Sequence, residues 1–223
     1  MPRMLSQTYA ERDVQDVESY VRDTVGHISP YIGSDEREQL VARGIFLVSR
    51  MAQAVWSHPA AGMLLQWAGK AETTHMWTDA ATGLECKCRP DWLTDDGSIV
   101  VDLKTTKDAS PRGFKQSVAN YRYHVQAAWY LHGLEQATSK RPDQFIFICV
   151  ETTAPYAVAV YAADAEMIER GHDQAMRDLA KLAVCKAADH WPSYSDQIET
   201  ISLPGWMTGQ PGSTQTTETI QEF

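Results

Sequence analysis

Two short segments carry the residues whose types and spacing could do chemistry. The first is Glu85-Cys86-Lys87-Cys88-Arg89-Pro90-Asp91, and the second is Val100-Val101-Asp102-Leu103-Lys104-Thr105-Thr106. They contain a Pro-Asp pair and, after a short turn and an apolar run, an Asp-X-Lys triplet. A β-hairpin would bring the two carboxylates and the ammonium together. Metal-dependent hydrolysis of a phosphodiester needs such a set, because acids hold Mg²⁺ and a lysine lies beside them.

The spacing within the second segment also has a structural meaning. Asp102 and Lys104 are two residues apart, so on a strand both side chains project from the same face. The apolar run Ile99-Val100-Val101 leads directly into Asp102. Burial of an unpaired acid is costly, so we expect this carboxylate to have a charged partner or a bound cation.

A hard divalent cation takes carboxylate oxygens, backbone carbonyls and waters as ligands. We therefore predict a metal site formed by Asp91, Asp102 and the carbonyl of Leu103. Glu72, on the preceding strand, would add a ligand to the same metal or to a second one. Lys104 would orient or activate the attacking water and offset the charge of the phosphate.

An ordinary structural interpretation competes with this one. Asp102 and Lys104 would then be a surface ion pair, and Pro90-Asp91 a simple turn. An isolated Asp-X-Lys triplet is more often structural than catalytic. The hairpin spacing, the preceding Glu72 and the capped helix that follows favour the catalytic interpretation when they are taken together.

The pattern along the chain predicts an α/β or α+β fold with a mixed central sheet flanked by helices. Three strands over residues 72–78, 84–92 and 98–104 form an antiparallel meander, with a hairpin turn at Asp96-Gly97. Two further antiparallel strands span residues 144–150 and 157–161. The first is a continuous apolar run that is typical of a buried strand, and the second follows it after the turn Thr153-Ala154-Pro155-Tyr156.

The predicted helices surround these strands. A helix near residues 14–25 precedes one that begins at Ser34 and ends before His58-Pro59, and a short helix covers residues 60–68. Ser110 caps a helix that breaks near Asn120 and continues to about Leu134. Asp164 caps a long final helix. We expect one domain over residues 1–206, with a helical N-terminal part (1–70), and a polar flexible tail over 207–223.

Composition limits the class of protein. The 223 residues are 43% hydrophobic, enough for one core, and no long apolar run predicts a membrane span or signal peptide. We therefore expect a soluble protein of the cytoplasm that does not contact membranes. The net charge of −9 argues against a basic surface for nucleic acid, and so against a DNA-binding module without metal. The four cysteines lack the spacing of a zinc or iron–sulfur site, which favours reduced thiols.

Three motifs in order resemble the PD-(D/E)XK nuclease superfamily and, within it, the RecE-type (exonuclease VIII-like) exonucleases of phages and prophages. The resemblance covers residues 55–150, a little under half of the chain. Its motifs are Cys88-Arg89-Pro90-Asp91-Trp92-Leu93, Val101-Asp102-Leu103-Lys104-Thr105-Thr106-Lys107-Asp108-Ala109 and Tyr123-His124-Val125-Gln126-Ala127-Ala128-Trp129-Tyr130.

The resemblance implies a function. Such enzymes use Mg²⁺, with Mn²⁺ as a substitute, to degrade one strand of linear double-stranded DNA from its 5′ end. The product is a 3′ overhang for a partner single-strand annealing protein, in phage-type recombination within a bacterial or phage-infected cell. They commonly form homo-oligomeric rings around DNA.

The resemblance also implies roles for individual residues. Asp91 and Asp102 match the metal ligands and Lys104 the catalytic lysine. Gln126 matches the motif glutamine on the helix beside the site, with Tyr130 as its neighbour and an expected DNA contact. Glu72 matches the acidic position upstream of the Pro-Asp strand.

Lys107, Arg112 and Lys115 follow the Asp-X-Lys motif at a helix start. There they can contact a DNA phosphate, aided by the positive end of the helix dipole, or remain solvated surface charges.

The sequence departs from the family pattern at one position. Relatives of this type usually carry a histidine ligand in an upstream Gly-X-X-X-His-like element, and no such element precedes Glu72. His27 directly follows Gly26 and His58 precedes Pro59, so neither fits. The chain is then a shortened relative or a fragment, or another residue takes that role.

Three functions remain open at this stage. The first is a Mg²⁺-dependent exonuclease. The second is a catalytically weak or inactive subunit of the same fold that binds DNA ends, which the departure favours. The third is an endonuclease of the superfamily, although no base-reading element is evident.

Overall fold

The structure is a computed structural model that describes residues 34–203 and Met207. Among these residues no helix has both the length and the apolar character needed to cross a membrane. The elements follow one another as α1 (Ser34–Ser57), α2 (Pro59–Gln66), β1 (Gly69–Ala71), β2 (His75–Thr78), β3 (Glu85–Cys88), β4 (Trp92–Thr94), β5 (Ile99–Thr106), α3 (Pro111–Tyr121), α4 (Tyr123–Thr138), β6 (Gln144–Glu151), β7 (Val158–Ala162) and α5 (Ala165–Ala188).

The central sheet has five strands in the order β1-β4-β5-β6-β7. Strands β5 and β6 are parallel, and each of the other neighbouring pairs is antiparallel. The long connection through α3 and α4 makes the parallel pair possible, since parallel strands need a crossover. The predicted α+β fold with a mixed sheet and flanking helices is confirmed.

The structure corrects one detail of that fold, the three-stranded meander. The predicted strand over residues 84–92 is two strands: β3 pairs with β2 in a separate two-stranded sheet, whereas β4 pairs with β1 and β5. The interruption falls at Pro90-Asp91. A proline has no N–H to donate to a ladder, so a central strand cannot run through it. The predicted turn at Asp96-Gly97 is confirmed, with Gly97 at φ 66°.

The two faces of the central sheet bury two separate cores. On one face, Val100, Phe145, Phe147 and Cys149 pack against α3, α4 and the start of α5, together with strands β2 and β3. On the other face, the alternate residues of β5 and β6 pack against α1 and α2. Strand β6 is apolar on both sides because both cores include it.

Local caps explain where the helices begin. Ser110 Oγ accepts a hydrogen bond from the Gly113 amide at 3.2 Å, and Pro111 occupies the first helical position. The predicted break near Asn120 lies at Arg122, which adopts a left-handed conformation between α3 and α4. Asp164 caps α5 through the amide of Met167, at 2.8 Å. The capping predictions at Ser110 and Asp164 are confirmed.

Contacts divide the chain after Lys181. The second unit contains the end of α5 and, over residues 189–203, a segment without helix or strand. The predicted domain boundary at residue 206 stays a prediction. The helix near residues 14–25 and, apart from Met207, the tail over 207–223 lie outside the described residues.

All four cysteines are free thiols, and three of them lie in the first core. Burial raises the pKa of Cys88 to about 11 and that of Cys149 to about 12. Burial also raises the pKa of Cys86. Since the thiolate is the reactive form, these three thiols should be inert in the folded protein.

We expect iodoacetamide at pH 8 to modify only the half-buried Cys185 in the native protein, and all four cysteines after unfolding. Mass spectrometry of intact protein and of its peptides measures both patterns. Rapid native modification of Cys88 or Cys149 would contradict the packing described here. The pattern also provides a test of folding for the variants considered below.

Candidate active site

The carboxylate of Asp102 lies at the centre of the molecule, in the middle of β5. Its side chain is 1% exposed and faces the first core. Oδ1 accepts a hydrogen bond from Gln126 Nε2 on α4, at 3.1 Å. The Lys104 ammonium forms an ion pair with Oδ2. The sequence prediction that Asp102 and Lys104 share a face therefore corresponds to a direct contact.

The Lys104 ammonium is the charged partner of this buried carboxylate. Apart from that ion pair, Oδ2 accepts no hydrogen bond from the residues that the structure describes. Burial raises the pKa of Asp102 to about 6, against the lowering effect of Lys104 and with a further rise from Asp91. A buried carboxylate oxygen of this kind favours a positive charge beside it.

Asp91 lies immediately before β4 and reaches across to β5. Its Oδ2 accepts a hydrogen bond from the Leu103 amide at 2.7 Å. Strand β4 begins at Trp92, opposite Val101, so the ladder ends there and the carboxylate takes its place. Burial raises the pKa of Asp91, although the Leu103 hydrogen bond and Lys104 oppose that rise.

The same hydrogen bond indicates where the Leu103 carbonyl points. In an extended strand, the N–H and C=O of one residue point to the same side. Because the Leu103 amide reaches Asp91, its carbonyl also points toward that side of β5. Two carboxylates and one carbonyl therefore lie on this side of β5, at the point where β4 begins.

Lys104 is held in place from two directions. Its side chain is 14% exposed, and the ammonium lies 4.7 Å from the centroid of the Tyr123 ring at the start of α4. A cation over an aromatic face is attracted by the ring quadrupole. Sequence reasoning included Tyr123 in a motif but gave it no role, because its proximity to Lys104 depends on how α4 packs.

Gln126 and Tyr130 extend the site along α4. Tyr130 is half-buried and its ring packs near Phe145, with 6.2 Å between the ring centroids. Burial raises the pKa of the Tyr130 hydroxyl, and a hydrogen bond with Gln126 opposes the rise. Gln126 therefore connects Tyr130 to Asp102 and fixes the orientation of that carboxylate.

Glu72 lies close to the site, but the prediction that it begins a strand is wrong, because Glu72 lies between β1 and β2. It follows β1 with φ 56°, and its amide donates to the Asp91 carbonyl at 3.1 Å. Its carboxylate forms an ion pair with Arg89, and both side chains are more than half exposed. The Glu72 charge nevertheless raises the pKa of Asp91. Its backbone therefore belongs to the site, while its side chain is engaged at the surface.

The donor set fits a hard divalent cation. Within residues 34–203, no group of three or more His, Cys, Asp and Glu side chains gathers in a metal-binding arrangement. Mg²⁺ does not need one, because it keeps several waters and is usually held by one or two carboxylates. Asp91, Asp102 and the Leu103 carbonyl supply such a set, beside the Lys104 ammonium that is paired with Asp102 Oδ2.

The predicted cationic DNA contacts lie beyond the end of β5. Lys107, Arg112 and Lys115 are exposed, the last two near the start of α3. Lys107 lines a groove of about 410 Å³ between the end of β5 and α3. The Arg112 charge contributes to the lowered pKa of Asp108, after hydrogen bonds from Ser110.

A mixed sheet whose central strand carries Asp-X-Lys, with Pro-Asp at the start of its neighbour, defines the PD-(D/E)XK class of folds. The chain belongs to the family described as "PDDEXK-like domain of unknown function (DUF3799)", whose model matches residues 18–204. The superfamily part of the sequence resemblance is thereby confirmed.

Structural neighbours agree with this fold. The crystal structure of a "Putative exonuclease" from Eubacterium rectale is similar with a TM-score of 0.58 and 13% identity, over 90% of this chain and 80% of that one. The crystal structure of SSO0001 has a TM-score of 0.35 and 13% identity, over 76% of this chain and 86% of that one. This similarity is too distant to support an argument. No curated protein matches the chain in sequence.

The buried Asp102 makes stability depend on pH in the metal-free protein. Its pKa rises on folding from 3.8 to about 6, which corresponds to roughly 3 kcal/mol. Because the folded state holds the proton more tightly, this contribution is complete below about pH 4 and is lost as the pH rises through about 6.

We therefore expect the free energy of unfolding of the wild type, minus that of Asp102→Asn, to fall by about 2 kcal/mol between pH 4 and pH 7. Denaturant unfolding in EDTA measures both proteins under identical conditions. Subtracting the variant removes the titration of the other groups. If the difference is constant across this range, burial does not raise the pKa of Asp102.

Proposed function

We propose that this chain is a Mg²⁺-dependent deoxyribonuclease that degrades linear double-stranded DNA as an exonuclease. The observation that carries the proposal is the buried Asp102 carboxylate, which is paired with Lys104, accepts a hydrogen bond from Gln126 and lies close enough to Asp91 for that charge to raise its pKa. A purely structural ion pair gains little from burial, since desolvation offsets its Coulomb energy. A site that must hold a cation gives this carboxylate a reason to remain in the core.

The chemistry follows from the groups at the site. The chemistry that Mg²⁺, or Mn²⁺ in its place, would supply here is that of a Lewis acid, which would polarise a phosphate and lower the pKa of a water. Asp91, Asp102 and the Leu103 carbonyl would hold the ion. Lys104, which Tyr123 and Asp102 hold in position, directs its ammonium toward the charge that develops on the phosphate. Gln126 keeps Asp102 Oδ1 in a fixed orientation.

The exonuclease part of the proposal has separate support. The three motifs resemble RecE-type enzymes, and the described fold is similar to the structure titled a "Putative exonuclease". On that resemblance, digestion proceeds from the 5′ end and leaves a 3′ strand for a single-strand annealing protein in phage-type recombination. A homo-oligomeric ring and a cytoplasmic location, in a bacterial or phage-infected cell, belong to the same proposal.

One observation favours a second function, an inactive subunit that binds DNA ends. The described residues contain no cluster of three or more ligating side chains, and the Glu72 carboxylate is paired with Arg89. His58 is one of the two upstream histidines weighed as a ligand. It caps α2, because its Nδ1 accepts a hydrogen bond from the Ala61 amide at 3.3 Å. His27 lies outside the described residues.

A digestion assay tests the proposed function. With Mg²⁺ and 5′-phosphorylated linear duplex, the wild type should release nucleotides, and Lys104→Ala and Asp102→Asn should each lose at least about a hundredfold in rate. Lys181→Ala, an exposed lysine on α5, is the matched control and should retain full activity. The cysteine modification pattern verifies that each variant is folded.

The substrate form separates the three candidate functions. Loss of label from one end of linear duplex, with closed circles intact, supports the exonuclease, and placing the label at the 5′ or the 3′ end gives the polarity. Equal cutting of closed circles indicates an endonuclease. Binding of DNA ends without digestion across a series of divalent metals selects the inactive subunit.

Salt dependence tests the proposed phosphate contacts. In a Lys104→Ala background, Lys107→Ala, Arg112→Ala and Lys115→Ala should each weaken DNA binding and reduce the slope of log Kd against log salt by about one. Lys181→Ala should leave the slope unchanged. If all three variants keep the parent slope, these residues are solvated surface charges.

A further inference from the structure

A column of four aromatic rings runs from the core to the surface beside Lys104. Tyr161 stacks on Phe114 with centroids 5.3 Å apart and an interplanar angle of 9°. Phe114 stacks on Tyr123 at 6.1 Å and 29°, and Tyr123 on Tyr121 at 5.6 Å and 28°. The Tyr161 hydroxyl donates to the Ala109 carbonyl at 2.7 Å, which fixes the inner end. Tyr121 is the outer end and is 68% exposed.

The break between α3 and α4 creates this arrangement. Residues two apart on a continuous helix point in nearly opposite directions, so Tyr121 and Tyr123 could not stack there. Arg122 between them adopts φ 57° and ψ 36°, a left-handed conformation that is unfavourable for a residue with a Cβ. An ion pair with Asp178 on α5 holds the Arg122 side chain. Strain of this kind is found where the surrounding structure imposes it, often at functional sites.

The exposed ring lines a groove that also includes Tyr123, the residue beneath the Lys104 ammonium. Tyr121, Tyr123 and Lys107 line the space of about 410 Å³ between the end of β5 and α3, together with polar residues such as Asn120 and Gln116. The ring on which Tyr121 stacks is the one over which the Lys104 ammonium lies. Tyr121 is therefore one ring away from the group proposed to contact the scissile phosphate.

An exposed tyrosine is by itself unremarkable on a protein surface. Three features distinguish Tyr121: the ring of Tyr123 on which it stacks, the left-handed residue that precedes that ring, and the polar groove that both tyrosines line. Core packing does not require the outer ring, because Phe114 and Tyr123 already close the first core. Tyr121 therefore presents an exposed aromatic ring to this groove.

We propose that Tyr121 is a stacking platform for an unpaired nucleobase of the DNA strand whose phosphate is cleaved. The proposal rests on the nuclease function above and specifies how the end of the substrate is held. Aromatic stacking tolerates every base, since each has a π-face, so the platform would act without sequence preference. A base that stacks there must leave its duplex partner, so the site should favour frayed or single-stranded ends.

Steady-state kinetics test this role in the full chain. With linear duplex and Mg²⁺, Tyr121→Leu should raise KM about tenfold and leave kcat nearly unchanged, because stacking contributes binding and not bond cleavage. Tyr121→Phe keeps the ring and should restore the wild-type KM. Trp56→Leu is the control: it removes an exposed aromatic side chain from α1, which packs on the opposite face of the sheet, and should change neither constant.

Fluorescence of 2-aminopurine provides a readout that a structural role would not change. In a Lys104→Ala background, duplex ends that carry 2-aminopurine as the terminal 5′ base should be quenched on binding. Tyr121→Leu should abolish this quenching, and Tyr121→Phe should retain it. The cysteine modification pattern shows whether each variant is folded.

The outcomes separate this proposal from the nuclease function. If the wild type digests DNA and Tyr121→Leu shows the same KM and the same quenching as the wild type, the stacking platform alone is overturned. If the wild type digests no DNA with any metal, but DNA ends still bind with quenching that depends on Tyr121, the nuclease function alone is overturned. No binding of DNA ends overturns both.

Discussion

The buried carboxylate of Asp102 is the interaction on which the rest of the site depends. It occupies the centre of the sheet, where an apolar side chain would stabilise the fold more simply, and its Oδ2 is left without a well-aligned hydrogen bond. Lys104, Gln126 and the neighbouring Asp91 are arranged around it. The stability of the core is therefore coupled to the charge at the site, and a cation there would benefit both.

Two interruptions of regular structure make that arrangement possible. Pro90 ends the ladder between β4 and β5, so the Asp91 carboxylate takes the Leu103 amide that a longer strand would have bonded. Arg122 ends α3 in a left-handed conformation, so α4 begins in a new direction and presents Tyr123 under Lys104. Each interruption removes backbone regularity at the point where a functional side chain must approach β5.

The sequence predicted what depends on local pattern. Alternation placed Asp102 and Lys104 on one face, and the caps at Ser110 and Asp164 located two helices. The prediction of a three-stranded meander was wrong, because hydrophobic alternation continues through Pro90 and does not indicate which strands pair with each other. Glu72 was assigned to a strand because a glutamate in the sequence gives no indication that its backbone adopts a left-handed φ. Tyr123 and Tyr121 were given no role, because their stacking depends on the crossing of two helices.

The overall charge constrains how such a site would hold DNA. With a net charge of −9, the long-range potential repels a polyanion, and among the described residues that line the groove beyond β5 only Lys107 is cationic, beside the acidic Asp108. Binding would then depend on short-range contacts: a cation between Asp91 and Asp102, a few phosphate contacts, and stacking on Tyr121. Contacts of this kind act only once a strand end has entered the groove. The interior of a duplex, whose bases are already stacked on one another, gains least from them, and this gives the acidic chain a physical basis for selecting ends.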